Sequence, residues 1–295
     1  FQQLYNTVDT MIVGNVLGDT ALAAIGSCGS IYELLVGFGL GIGNGLAIVA
    51  ARSYGAQDHD LLKKTVAGSL VIGLVASLCI TLAGVLGLHP LLLMLDTPAE
   101  ILDDAYRYIL TIDLGVLVMF AYNLCAGLLR AIGNSVMPLV FLLISSVLNV
   151  GLDLWFIAGM GMGVAGAAVA TDVSQLISCL LAVSYLLRVK SDYRIRVKSL
   201  CLDGDMARRI VRVGLPTGIQ NMVISFSNLL VQTSVNHYGA MAMAGFTAYL
   251  KVDGFNILPV LSISMAVTTF VGQNYGAGNL KRVKSGMWTA LLMLS

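Results

Sequence analysis

Apolar residues run along this chain in stretches of about twenty, long enough to cross the ~30 Å hydrocarbon core of a bilayer as helices. The stretches fall near 24–50, 66–88, 106–129, 136–158, 164–187, 210–236 and 244–271. A further one is already apolar at Phe1 and ends near Leu17, and a last one starts near Val283. Most polar breaks between them are short, so consecutive helices should run antiparallel. The pattern predicts an all-α polytopic membrane protein. The break at 188–209 is the longest and most charged, and reads as a linker between two membrane halves. On that division 1–187 is a six-helix lobe with a shortened first helix, and 210–295 opens a truncated second lobe.

Composition supports the membrane class. Of 295 residues, 57% are hydrophobic and 11% charged, against about 25% charged in soluble domains. A net charge of +1 predicts no nucleic-acid partner. All of the 17 basic residues except Arg107 and Lys251 follow even-numbered spans. The positive-inside rule therefore puts that side, with the N-terminus and the 188–209 linker, in the cytoplasm of a multi-pass protein of a plasma or inner membrane. The loop with Asp96, Glu100, Asp103 and Asp104 faces out. The five cysteines show no CxxC spacing and read as reduced, mostly buried thiols, and the three histidines are too scattered for a metal centre. A chain that opens on Phe1 and closes on Ser295 inside apolar segments reads as a piece of a longer protein.

A shift of 221 residues superimposes the start of the chain on its end without gaps. Asn15 meets Asn236, Ala21 meets Ala242, Tyr54-Gly55-Ala56 meets Tyr275-Gly276-Ala277, and Lys63 meets Lys284. Six spans separate equivalent points, so both copies share one orientation. This is the parallel-repeat layout of transporters built from two six-helix halves.

Two aspartates interrupt the apolar pattern at bilayer depth. A carboxylate there costs roughly 2.5–3.5 kcal/mol on insertion scales, which favours an internal, functional position. Asp9 lies about eight residues, roughly 12 Å, from the outer end of the first span. Asn149 and Asp153 are four apart and share a helix face, which Ser145 extends. Asp153 and Thr171 lie at a depth similar to that of Asp9. Oxygen ligands suit a hard cation such as Na+, and a desolvated carboxylate gains proton affinity; either ion fits. Glu33 and Asp113 lie within ten residues of the outer ends of their spans, placed either to cap an outer vestibule or to touch substrate in the cavity. Asp172 points away from Thr171 and reads as a packing residue. Lys251 and Asp253 do not share a helix face and read as snorkelling or locally paired, with one of them lining the second lobe's cavity as the alternative. Gly37, Gly39, Gly41, Gly43 and Gly45 read as helix-packing positions, while Pro216 and Pro259 should kink their helices.

Several of these segments together resemble the multidrug and toxic compound extrusion (MATE) transporters. They are Asn6-Thr7-Val8-Asp9-Thr10, Gly18 with Ala21-Leu22-Ala23-Ala24, Tyr54-Gly55-Ala56, and Leu129-Arg130-Ala131-Ile132-Gly133-Asn134 with Pro138. The resemblance covers essentially the whole chain and implies twelve spans, of which this sequence would hold most of the first through the start of the ninth. It is closest in pattern to the archaeal and DinF-like branch, and implies that Asp9, Asn149, Asp153 and Thr171 hold the coupling cation. Tyr5 and Tyr108 match cavity tyrosines, and Asn123 matches by spacing although it lies nearer the cytoplasmic end. The glutamate that the NorM branch carries after a Leu-Pro pair has no counterpart after Leu215-Pro216, and the repeat mate of Asp9 is Leu230. Coupling is therefore expected in the first lobe alone.

The expectation is a monomeric antiporter, not an enzyme. It would use no cofactor beyond H+ or Na+ and export small amphipathic or cationic organic compounds across the bilayer by alternating access. A lipid-linked saccharide flippase of the same superfamily is the alternative; its cavity would need more arginines or lysines than Lys251 and Arg107. This stretch by itself, lacking the later spans, is expected not to transport.

Overall fold

The computed structural model describes residues 2–94, 97–188, 204–236, 238 and 240–294. Its elements in order are α1 (Gln2–Leu17), α2 (Asp19–Gly55), α3 (His59–Met94), α4 (Ala99–Ala131), α5 (Val136–Asp153), α6 (Val164–Arg188), α7 (Gly204–Asn236), α8 (Ala240–Gly276) and α9 (Leu280–Leu294). A π-helical turn, Leu154–Gly159, continues α5. No strand occurs among the described residues. Residues 189–203 of the expected linker lie outside them, and 204–209 already belong to α7. The helices outrun the apolar stretches because hydropathy marks only the part in contact with lipid. At 37 residues α2 is about 55 Å long, well beyond the hydrocarbon core.

The repeat is reproduced residue for residue. α2 and α8 have equal lengths at a displacement of 221, as do the starts of α3 and α9. The turns after α2 and α8 share one hydrogen-bond pattern. Ala56 N–H donates to the Arg52 carbonyl and Ala277 N–H to that of Gln273, both at 3.0 Å. Gln57 and Gly278 follow with positive φ (56° and 71°). Asp58 and Asn279 then cap the next helix, their side-chain oxygens accepting from Leu61 N–H at 2.9 Å and Arg282 N–H at 3.2 Å. The Arg130–Asn134 segment forms the same turn after α4, with Gly133 at φ 88° and Asn134 accepting from Met137 N–H. A left-handed residue ends one helix and an Asx cap starts the next.

In the first lobe α4 packs against α2, α3, α5 and α6. Alanines contribute throughout these contacts, with Ala24, Ala105, Ala167 and Ala168 in one core cluster and Ala50, Ala126 and Ala182 in another. Large apolar side chains such as Leu86 and Val147 point outward, as a lipid-facing surface requires. α2 bends by 40° between Thr20–Gly29 and Ile31–Gly37, at a Gly-Ser pair. Pro216, Pro259 and Pro90 lie inside α7, α8 and α3 respectively.

The two halves meet through α2, which packs on both α7 and α8. Gly37, Gly41 and Gly45 form an i, i+4 stripe against Asn221 and Ser225, Gly218, and Gly214 respectively. A β-carbon at Gly41 or Gly45 would collide with the α7 backbone. Asn221 Nδ2 ties the crossing to the Gly37 carbonyl at 3.0 Å. At the basic end Gly55 abuts the Gln273 backbone and Gly276 abuts that of Arg52. Because 52 and 273, and 55 and 276, are repeat mates, this contact obeys a local pseudo-two-fold. Ala51 and its own mate Gly272 touch on that axis. The Arg52 guanidinium lies 5.0 Å from the Tyr275 ring centroid, and Gln273 Nε2 donates to the Ala131 carbonyl at 2.7 Å.

Candidate functional site

α1 lies against α5, the π-helical turn and α6, which brings Asp9 to the face of α5 that carries Asn149 and Asp153. Serines stitch α5 to α6 on the same stripe. Ser145 Oγ donates to the Ser174 carbonyl at 3.1 Å and Ser178 Oγ to the Phe141 carbonyl at 2.9 Å. This antiparallel register places Thr171 at the level of Asn149, with Asp153 one turn further from the basic end. Asp153 is the last α-helical residue before the π turn. π-helical turns concentrate at functional sites because the widened turn redirects neighbouring side chains.

Asp153 and Asn149 are buried, and Asp9 and Thr171 are half-buried. The carboxyls of Asp9 and Asp153 stand within hydrogen-bonding reach of each other. With both ionised they are acceptors facing acceptors. Asp9 Oδ1, both Asp153 oxygens and both polar atoms of the Asn149 amide are buried without a hydrogen-bond partner. Such groups are expensive to leave unsatisfied in a dry interior. A proton on one aspartate would turn the contact into an O–H···O bond, and a small cation between them would be held by oxygens of both. Among the described residues no lysine or arginine forms an ion pair with either carboxylate.

The other expected site residues separate. Tyr108 is buried on α4, within electrostatic range of Asp9, Tyr32 and Asp172, and so borders the pair. Glu33 is exposed on α2. Asp113 does not line a cavity: it is fully enclosed between α4 and α3, its carboxyl lying on Gly84 with neither oxygen bonded. Asn123 packs on Gly43 of α2 and bonds the Met119 carbonyl at 2.9 Å. It lies eight residues from the basic end of α4, in the half of the lobe opposite to Asp9. The side chains of Tyr5 and Lys251 lie outside the described residues. Asp172 rests on Gly115 of α4, a helix-packing position as expected. Gln175, not among the expected site residues, holds its Oε1 as a buried, unpartnered acceptor one turn after Thr171. Its i+4 spacing from Thr171 was the available signal.

The MatE family model matches residues 1–155 and 216–295. The chain belongs to the MatE family. It is 29% identical over 97% of its length to the probable multidrug resistance protein YoeA of Bacillus subtilis, covering 64% of that protein. It is 32% identical over 96% of its length to the probable multidrug resistance protein YpnP of the same organism, covering 63% of it. The crystal structure of a MATE protein in a bent conformation superposes on 99% of the chain with a TM-score of 0.91 at 27% identity, and 65% of that protein is covered. An outward-facing multidrug resistance MATE transporter gives a TM-score of 0.91 at 26% identity with the same coverage. The chain thus spans a little under two thirds of the length of these MatE relatives.

Proposed function

We propose that the protein to which this chain belongs is a cation-coupled antiporter, expelling amphipathic or cationic organic compounds by alternating access with H+ or Na+ as the counter-ion. The observation that carries this reading is the Asp9–Asp153 pair: two facing carboxyls in the membrane, short of donors, with the Asn149 amide beside them. Intramembrane carboxyls that no structural partner neutralises are suited to exchangeable ions. Asp9, Asn149, Asp153 and Thr171 are the proposed coupling residues, with Tyr108 bordering them. The basic end is assigned to the cytoplasm. The α2–α8 contact at that end, with the α2–α7 crossing between it and mid-helix, favours a cavity that opens on the other side. Entry of one charge through 100 mV supplies about 2.3 kcal/mol, enough for roughly a fifty-fold gradient of an uncharged substrate; a monovalent cationic substrate exchanged one for one draws on the concentration gradient of the ion instead. The MatE relatives named for multidrug resistance support the substrate class.

The test is efflux of a fluorescent organic cation by the full-length protein in proteoliposomes under separate proton and sodium gradients. Wild type should respond to at least one gradient, and Asp9→Asn and Asp153→Asn should each lose at least ten-fold of that response. Normal pumping by both variants under either gradient would remove the coupling assignment.

A further inference from the structure

Between the lobes, on the side away from the aspartates, an open groove of about 560 Å³ runs between α3 and α7 with α2 as its floor. Val71, Cys79 and Ala83 line one wall, Ile210 and Leu215 the other, and Leu46 lies beneath. Its wall on α3 extends for about 18 Å, close to the ~15 Å hydrocarbon depth of one leaflet. The lining is apolar throughout, so the groove offers a polar ligand nothing to bond.

Charge distinguishes one end of the groove. On α7 the lining residues Ile210, Gly214 and Leu215 form one stripe, and Arg208 and Arg212 form an exposed i, i+4 pair along its edge. Gly45 meets Gly214, and Gly45 is ten residues, about 15 Å, from the basic end of α2. Arg208 and Arg212 lie still closer to that end, within about 12 Å of it. With its 40° bend α2 spans about 50 Å and exceeds the ~30 Å core by about 10 Å on each side. Arg208 thus lies beyond the core and Arg212 at its edge, where a long side chain reaches the headgroups. The two guanidiniums therefore stand at headgroup level, next to an acyl-sized channel.

We propose that this groove is a binding site for one anionic phospholipid of the leaflet at the basic end. An acyl chain lies between α3 and α7, and the phosphate lies on Arg208 and Arg212. Arginine suits the phosphate because its planar fork makes paired charge-assisted bonds. The chain would fill the crevice beside the Gly45–Gly214 crossing, so the lipid stabilises the arrangement in which α2 and α7 are crossed. This site is independent of the carboxyl pair and stands or falls separately from the coupling assignment.

The experiment uses the full-length protein in nanodiscs of equimolar phosphatidylglycerol and phosphatidylcholine. Lipid retained after release is counted by native mass spectrometry. Wild type should keep one phosphatidylglycerol that the Arg208→Gln/Arg212→Gln variant keeps at least three-fold less often. Ala76→Phe, which fills the groove without changing charge, should lose it equally, and Arg208→Lys/Arg212→Lys should keep an intermediate share. A phosphatidylglycerol with a photoreactive acyl chain should cross-link to the 71–83 stretch in wild type, a readout that needs no variant to fold. Equal retention in wild type and both depleted variants would overturn the proposal. So would labelling no stronger than with the phosphatidylcholine analogue, or a groove that the remaining helices of the full-length protein already fill.

Discussion

A carboxyl group inside a bilayer needs a proton, a cation or a set of donors, and the first lobe divides its acids by how that need is met. Asp9 and Asp153 meet each other, whereas the Asp113 carboxyl lies on Gly84 without a hydrogen-bond partner among the described residues. A side chain at position 84 would overlap the Asp113 carboxyl. Gly84→Ala should therefore destabilise the full-length protein by about 1–3 kcal/mol, measured by thermal unfolding in detergent. Asp113→Ala in the same chain should restore most of the loss. Gln57 is the other strained position, a non-glycine residue in the left-handed region where its repeat mate is Gly278. Gln57→Gly should stabilise by about 1 kcal/mol, less whatever the Gln57 Nε2 bond to the Tyr54 carbonyl supplies. Unchanged or lowered stability would mean that this bond dominates. At this scale the spacing of Asn149 and Asp153 was readable because four residues is one helical turn. The π turn after Asp153 was not, since hydropathy does not distinguish i+5 from i+4 bonding.

At the scale of elements, α2 governs how the halves meet. Its Gly37, Gly41 and Gly45 stripe carries the crossing with α7, and its basic end interlocks with α8 through Ala51, Arg52 and Gly55. Leucine at 41 or 45 would push α7 away, so Gly41→Leu and Gly45→Leu should abolish efflux while leaving helix content intact by circular dichroism. The contact on the pseudo-two-fold axis allows a reversible version of the same test. Cysteines introduced as Ala51→Cys and Gly272→Cys into a background stripped of native thiols should cross-link under mild oxidation. Efflux should stop, and reductant should restore it. Transport that continues through the cross-link would show that this contact does not part during the cycle. The alternating glycines announced close packing in the sequence. Which faces they served was hidden, because positions 37, 41 and 45 address α7 while Gly43 addresses Asn123 of α4. Three equivalent turns, after α2, α4 and α8, were visible only as motifs until their shared hydrogen bonds related them.

At the scale of the molecule, a displacement of 221 residues governs helix lengths, turn geometry and the symmetric interlock, and it was legible because the turn residues must repeat for the turn to repeat. The asymmetry was legible too: Leu230 stands where the second half would need a counterpart of Asp9. The closure near the basic end was not legible, since both ends of a two-lobe transporter must be able to pack and composition does not say which does. The central claim is that one ion is shared by two carboxyls of the first lobe. It is tested most directly by ion-driven efflux of the full-length protein carrying Asp9→Asn, Asp153→Asn and both together. Residues that hold one ion act as a unit and their losses do not add. The account predicts that either single variant loses as much coupled transport as the double. Losses that multiply, each substitution removing its own independent share, would contradict it.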